Sequence, residues 1–292
     1  MEYFQQAAEK DPAFVLAYSG IADCYSILGF YNIISPHIVM PKAKENAAKA
    51  IELDARNAEA YTTLAFINAF YDWNWIEAKK KFLLALEFNP GYAPAHYWYS
   101  YYLSFVEGKF DESISLARKA AEHLEPFVSI SHHVLAIVFI NAGKYEEAVE
   151  ASKMAIELDP SAFPGFRTLG ISLASLYKYE EAIEALKTSV TNSGRHPWPM
   201  VELACVYCLA GQPDEAQKIM DELAVRSQSE FVPGMYAGVY YLKQYDKAIE
   251  FLEQAFTEHD GSLISMNFWP VSTFVKTDPR FQPYLKKMNF PR

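Results

Sequence analysis

Seven small residues recur along this chain at nearly constant spacing: Ala43, Ala78, Ser113, Ala148, Ala182, Ala216 and Ala248 follow one another at intervals of 35, 35, 35, 34, 34 and 32. A period of that length marks a repeat architecture, in which one supersecondary unit stacks on the next. Seven residues after each comes a second small position, held by Ala50, Ala85, Ala120, Ala155, Ser189 and Ala255, with Leu223 as the large exception. Seven residues are about two turns of α-helix. Both small positions therefore share one face, where the lack of bulk lets a neighbouring backbone approach.

Upstream of each opening residue lies a second helical pattern: an aromatic or His, an apolar residue three later, a small residue next, and an aromatic or apolar residue after three more. Tyr18, Ile21, Ala22 and Tyr25 fit it, as do His96, Tyr99, Ser100 and Leu103, and His132, Leu135, Ala136 and Phe139. Turn residues such as Gly29, Gly108, Gly143 and Gly211 separate the two helices of a unit. Pro12, Pro90 and Pro160 close units.

Spacing, small positions, turn glycines and closing prolines together resemble the tetratricopeptide repeat over residues 1 to about 256. The resemblance implies an all-α, right-handed superhelical α-solenoid: a half repeat, about seven repeats starting near 13, 56, 91, 127, 161, 195 and 230, and a cap over 257–292. Residues 1–12 read as the second helix of an earlier unit, so a partner helix is expected upstream of Met1 in a longer chain. Between Gly29 and Ala43 about nine extra residues, around FYNIISPHI, predict a protruding loop. In repeat two YDWNW replaces the turn glycine. At the far end, Asp278 and Pro279 suit a helix start, and Phe281, Tyr284, Leu285 and Met288 recur at helical spacing as a capping helix, which Pro283 delays.

The chemistry of the chain excludes several function classes. Lys and Arg number 26 against 36 Asp and Glu, and a net charge of −10 repels a phosphate backbone, so no nucleic-acid partner is expected for this chain alone. No apolar stretch is long enough to span a membrane. Three cysteines and no Asn-x-Ser/Thr sequon point to a reducing, cytoplasmic setting. Cys205 and Cys208 have the spacing of half a zinc site, but they fall mid-helix without a second pair. His132 and His133 are adjacent, so they point to different helix faces and lack the spacing of paired metal ligands. Phosphate loop, nucleophile elbow and kinase signatures are missing. A non-enzymatic protein without metal or cofactor is expected.

The stretch HYWYSYYLSF, residues 96–105, is the first helix of the third full repeat. His96, Tyr99, Ser100 and Leu103 face partner helices, whereas Tyr97, Tyr101 and Phe105 fall where the resemblance implies a concave surface. Equivalent positions elsewhere are Phe66 and Phe70, then His133, Ile137 and Asn141, then Arg167 and Ile171. Aromatic residues at helical spacing also build cores, but an exposed stripe of this kind marks a partner site. The sequence therefore predicts a scaffold that grips an unidentified peptide or helix in an aromatic groove. Carboxylate-clamp members of the family hold Lys, Asn and Arg there, whereas this chain has Ser19, Asp23, Thr63, Pro94 and Trp98, so no clamp is expected. YDWNW, HYWYSYYL and DPRFQPYLKKM also resemble the repeat region of bacterial winged-helix regulators, nucleotide cyclases and serine/threonine kinases, which implies a sensory or regulatory module. A third reading is self-association.

Overall fold

The computed structural model describes residues 1–272 and 274–291. After α1 (Glu2–Lys10), paired antiparallel helices follow: α2 (Val15–Phe30) with α3 (Pro36–Leu53), α4 (Ala58–Phe70) with α5 (Trp75–Phe88), and α6 (Ala93–Tyr102) with α7 (Phe110–Arg118). The series continues with α8 (Ser129–Asn141) and α9 (Tyr145–Leu158), α10 (Phe163–Ser175) and α11 (Tyr179–Asn192), α12 (Pro197–Leu209) and α13 (Pro213–Arg226), and α14 (Met235–Tyr241) and α15 (Tyr245–Thr257). This is a right-handed superhelical α-solenoid, and the described residues contain no strand.

Every opening small residue is sealed in a helix–helix contact: Ala43, Ala78, Ser113, Ala148, Ala182, Ala216 and Ala248 are fully buried. Adding bulk at one of them must push two backbones apart. We expect Ala148→Leu to lose about 1–3 kcal/mol of unfolding free energy by overpacking, measured by chemical denaturation. A neutral result would contradict the close contact.

Helix boundaries follow from local chemistry. The Asn57 and Asn74 side chains accept from the Ala60 and Glu77 amides (2.8 and 3.3 Å) at the starts of α4 and α5. Glu146 and Glu147, like Glu180 and Glu181, stand in the first turns of α9 and α11, where the helix dipole favours them. The aromatic-or-His position gains its reason here. Tyr18, His96 and His132 each donate to the carbonyl of a proline six residues earlier, Pro12, Pro90 and Pro126 (3.3, 2.8 and 2.9 Å), tying a helix to its entry loop.

Within each pair one turn residue takes positive φ, five positions before the opening small residue in all but the first unit. Gly108, Gly143 and Gly211 supply it freely, but Trp73, Tyr177 and Lys243 adopt it at +52°, +62° and +62°. The YDWNW segment thus makes the same turn without glycine.

One expectation needs correcting. The extra residues of the first unit do not protrude as a long loop: they lengthen α2 and α3 to 16 and 18 residues, leaving 31–35 as the connection. Propagating a formed helix fixes one residue per hydrogen bond gained, which is easier than ordering a free loop. The expected capping helix is present as the last element of a longer C-terminal segment. Beyond α15 come tight 3₁₀ turns at Gly261–Met266 and Pro270–Ser272, a one-turn helix α16 (Phe274–Thr277), a turn at Pro279–Phe281, and α17 (Gln282–Met288). Asp278 caps the Arg280 amide at 3.0 Å, and the helix starts only beside Pro283.

Candidate functional site

The helices α4, α6, α8 and α10, with the turn Leu103–Glu107 that follows α6, bring the ten groove positions together on the inner side of the superhelix. They do not form an exposed stripe. Phe66, Phe70, Tyr97, Tyr101, Phe105, His133, Ile137, Asn141 and Ile171 are buried, and the Arg167 side chain is only 11% exposed. The superhelix turns tightly enough for its first repeat to meet its sixth, and residues 257–272 and 274–291 of the same chain lie against what remains.

The rings form a chain whose two ends, Trp198 and Trp269, are bridged by the Arg167 guanidinium. Phe30 at the end of α2 packs edge-on against Phe66 and Phe70 (5.2 and 5.3 Å), Phe70 against Tyr101 (5.4 Å), and Tyr101 against Phe105 (4.5 Å). Phe105 lies 6.1 Å from Trp269 of the C-terminal segment. On the other side Phe30 meets Trp198 of α12 at 5.2 Å, and the His196 ring donates to the Tyr31 carbonyl at 2.9 Å. Aromatic pairs of this geometry add roughly 0.5–1.5 kcal/mol each beyond their buried area. The segment HYWYSYYLSF spans α6 and a wide π-type turn, Leu103–Glu107, which carries Ser104 and Phe105.

At the centre stands an ion pair between neighbouring repeats. Arg167 donates from Nε and Nη2 to Glu202 (2.8 and 2.6 Å). Its guanidinium lies between two indoles, 5.5 Å from the Trp198 ring and 4.8 Å from that of Trp269. Trp269 Nε1 donates to Glu202 Oε1 at 2.9 Å. Burial pushes the Glu202 carboxyl above the ordinary carboxylate range, while Arg167 and the Trp269 donor draw it back. His133 is driven down to about 3, first by burial and then by the Arg167 charge, so it is neutral at any ordinary pH. Asn141 donates to Ser104 Oγ at 3.1 Å, linking α8 to the π turn.

The C-terminal segment is fastened at several points. Trp75 Nε1 donates to the Met288 and Asn289 carbonyls (3.1 and 3.0 Å), and Phe290 stacks on Trp75 at 5.3 Å. His37 Nε2 donates to the Thr257 carbonyl at 3.0 Å and His259 Nδ1 to the Tyr71 carbonyl at 2.7 Å, with His259 stacked on Trp73. Gly261 comes so close to Phe30 that a Cβ there would sit 2.6 Å from its carbonyl oxygen.

Sequence reasoning missed Phe30, Trp198, Glu202 and Trp269. Glu202 had a usable signal, being the one charged residue of PWPMVELACVYCL and 35 positions after Arg167. Trp269 lies beyond the periodic region, so no pattern pointed to it. Cys205 is buried and Cys208 half-buried on α12, both as free thiols, and burial raises both pKa values. Among the described residues no cluster of three His, Cys, Asp or Glu side chains is arranged to hold a metal, and no helix is long and apolar enough to cross a membrane.

No family model matches the chain. A stretch of 114 residues, 39% of the chain, is 30% identical to the transcriptional regulator HilA of Salmonella typhimurium and equally to that of Salmonella typhi. The match spans only 20% of those regulators' length. Among solved structures, the APC/C hetero-tetramer Cut9-Hcn1 superposes with a TM-score of 0.64 at 17% identity, over 94% of this chain and 51% of that one. PilW, a type IV pilus biogenesis factor, gives 0.56 at 17% identity over 72% and 95% of the two chains. TTC0263, a thermophilic TPR protein of Thermus thermophilus, gives 0.55 at 15% identity over 66% and 98%. Identities this low speak for architecture alone, and with helix pairs repeating every 32 to 35 residues around sealed small positions, the chain has the fold of the tetratricopeptide-repeat solenoids.

Proposed function

We propose that this chain is a non-catalytic protein-interaction scaffold whose inner aromatic wall grips an extended segment of a protein partner. The positions assigned to that grip are Phe66, Phe70, Tyr97, Tyr101, Phe105, His133, Ile137, Asn141, Arg167 and Ile171. One observation carries the reading: the wall already holds an irregular, non-repeat segment, residues 261–272, with Gly261 against Phe30 of the first repeat and Trp269 against Phe105 of the third, Arg167 of the fifth and Glu202 of the sixth. A partner must exchange with that segment, so its apparent affinity is its intrinsic affinity scaled by the fraction of open molecules. Reversible, micromolar binding follows. The reading places the protein in the cytoplasm, where its three free thiols stay reduced.

A second reading is favoured by the HilA match: a regulatory module within a bacterial signalling protein, whose DNA-binding or catalytic work belongs to a segment outside this one. The two readings are compatible, since a regulator can be controlled through what its repeats bind.

The test is selection of a displayed peptide library on the full chain, followed by hydrogen exchange of each complex. Enriched peptides should protect residues 96–107 and 163–175 and deprotect 261–272. Protection confined to the outer face, around the exposed Ile76 and Leu83, would contradict the reading, as would failure to enrich any peptide.

A further inference from the structure

The groove reading leaves open what the wall recognises, and the inference drawn here rests on that reading. Most of the wall is apolar, but at its centre Arg167 and Glu202 face each other with side chains only 11% and 7% exposed. A buried ion pair stabilises a fold less well than apolar residues of similar volume, so packing alone gives no reason for it. What the pair offers is a flat cation for an aromatic face and a carboxylate acceptor at that face's edge. Trp269 uses both at once, with its ring 4.8 Å from the guanidinium and its Nε1 2.9 Å from Glu202 Oε1. Tryptophan is the side chain that combines a wide neutral π face with an edge N–H donor.

Around that anchor the segment is buried at Leu263, Ile264, Met266 and Val271, but its fit is incomplete at one place. A cavity of about 40 Å³ lies between it and the wall, enough for roughly three water-sized spheres. Trp198 lines this cavity at 6% exposure, and its Nε1 finds no hydrogen-bond partner among the described residues. Buried donors are nearly always satisfied in a settled core. A satisfied indole site beside an unsatisfied donor suits an occupant that brings an acceptor as well as an indole.

We propose that Phe105, Arg167, Trp198 and Glu202 form a tryptophan-recognition slot, and that a protein partner presents a tryptophan with an adjacent backbone carbonyl to it. The partner's indole replaces Trp269 and donates to Glu202, while the carbonyl accepts from Trp198 Nε1. Trp269 then acts as the resident stand-in that keeps the slot closed between encounters.

The test uses the full chain labelled with 5-fluorotryptophan, with the Trp269 resonance assigned from a Trp269→Phe sample. The probe is the synthetic peptide GSLISMNFWPVS, identical to residues 261–272. Titrated to millimolar concentration, it should move Trp269 to a solvent-like shift. The same peptide carrying 1-methyltryptophan, which keeps the ring and loses the donor, should need at least about tenfold more. In parallel, N-acetyltryptophanamide should raise the melting temperature of Trp269→Ala, and its 1-methyl analogue should do so far less. A Trp269 signal unmoved at saturation, or equal displacement by both peptides, overturns the proposal, and the wild-type titration decides it even if Trp269→Ala does not fold. If library peptides reach the wall while indole methylation changes nothing, the slot assignment fails and the groove reading stands. If no peptide reaches the wall, both fail.

Discussion

Arg167→Met should cost about 3–5 kcal/mol of unfolding free energy, the largest loss expected from a single substitution here. Glu202 sits 5% exposed, and removing its partner strands a carboxylate that keeps only the Trp269 N–H as a side-chain donor. The loss comes from the orphaned charge rather than from the missing attraction. It follows that Arg167→Met combined with Glu202→Leu should recover most of the stability, because the double variant removes both desolvation costs. A double-mutant cycle by urea unfolding then reads a coupling of several kcal/mol between residues 35 apart in sequence. Independent, additive effects would mean that water reaches the pair and that residues 261–272 do not cover it.

The second large effect is on acid stability. His133 has its pKa depressed from 6.5 to about 3, chiefly by burial. The folded state therefore binds fewer protons than the unfolded state between those two values. Stability is full above about pH 6.5 and is lost as pH falls towards 3, at about 1.4 kcal/mol per pH unit and on the order of 4–5 kcal/mol over the whole window. His96 and His196 are shifted the same way by burial. Comparing wild type with His133→Gln cancels those shared contributions. Between pH 6 and pH 4 the variant should lose stability less steeply, by close to one proton's slope. Parallel curves would mean that His133 is solvated and that the inner wall is open.

What could be read from the sequence was local. The paired small residues declared the helix contacts, because a two-turn spacing has one structural meaning wherever it recurs. The turn could be located even where Trp73 and Tyr177 stand in for glycine, since the five-residue offset from the opening small residue holds. Closure could not be read. Whether Phe30 reaches Trp198, or His37 reaches the Thr257 carbonyl, depends on small rotations summed over several repeats, and the period does not encode them. For the same reason Phe66, Tyr101 and Phe105 were expected to face solvent. Their positions on the inner side follow from helical phase, but their burial depends on a segment outside the repeat. The first-unit insertion misled in a different way: Phe30 and residues 36–38 join the helices on either side, and only 31–35 are left to connect them.

The central claim is that the wall is covered by the chain's own residues 261–272, anchored by Trp269. Native-state hydrogen exchange over that segment tests it most directly, because short 3₁₀ turns protect amides only when packed against something. The account predicts that amides of 261–272 exchange at least about a hundredfold more slowly than in the isolated peptide, together with those of 96–107, and that Arg167→Met accelerates both. Exchange over 261–272 at the rate of the free peptide, with 96–107 still protected, would contradict it.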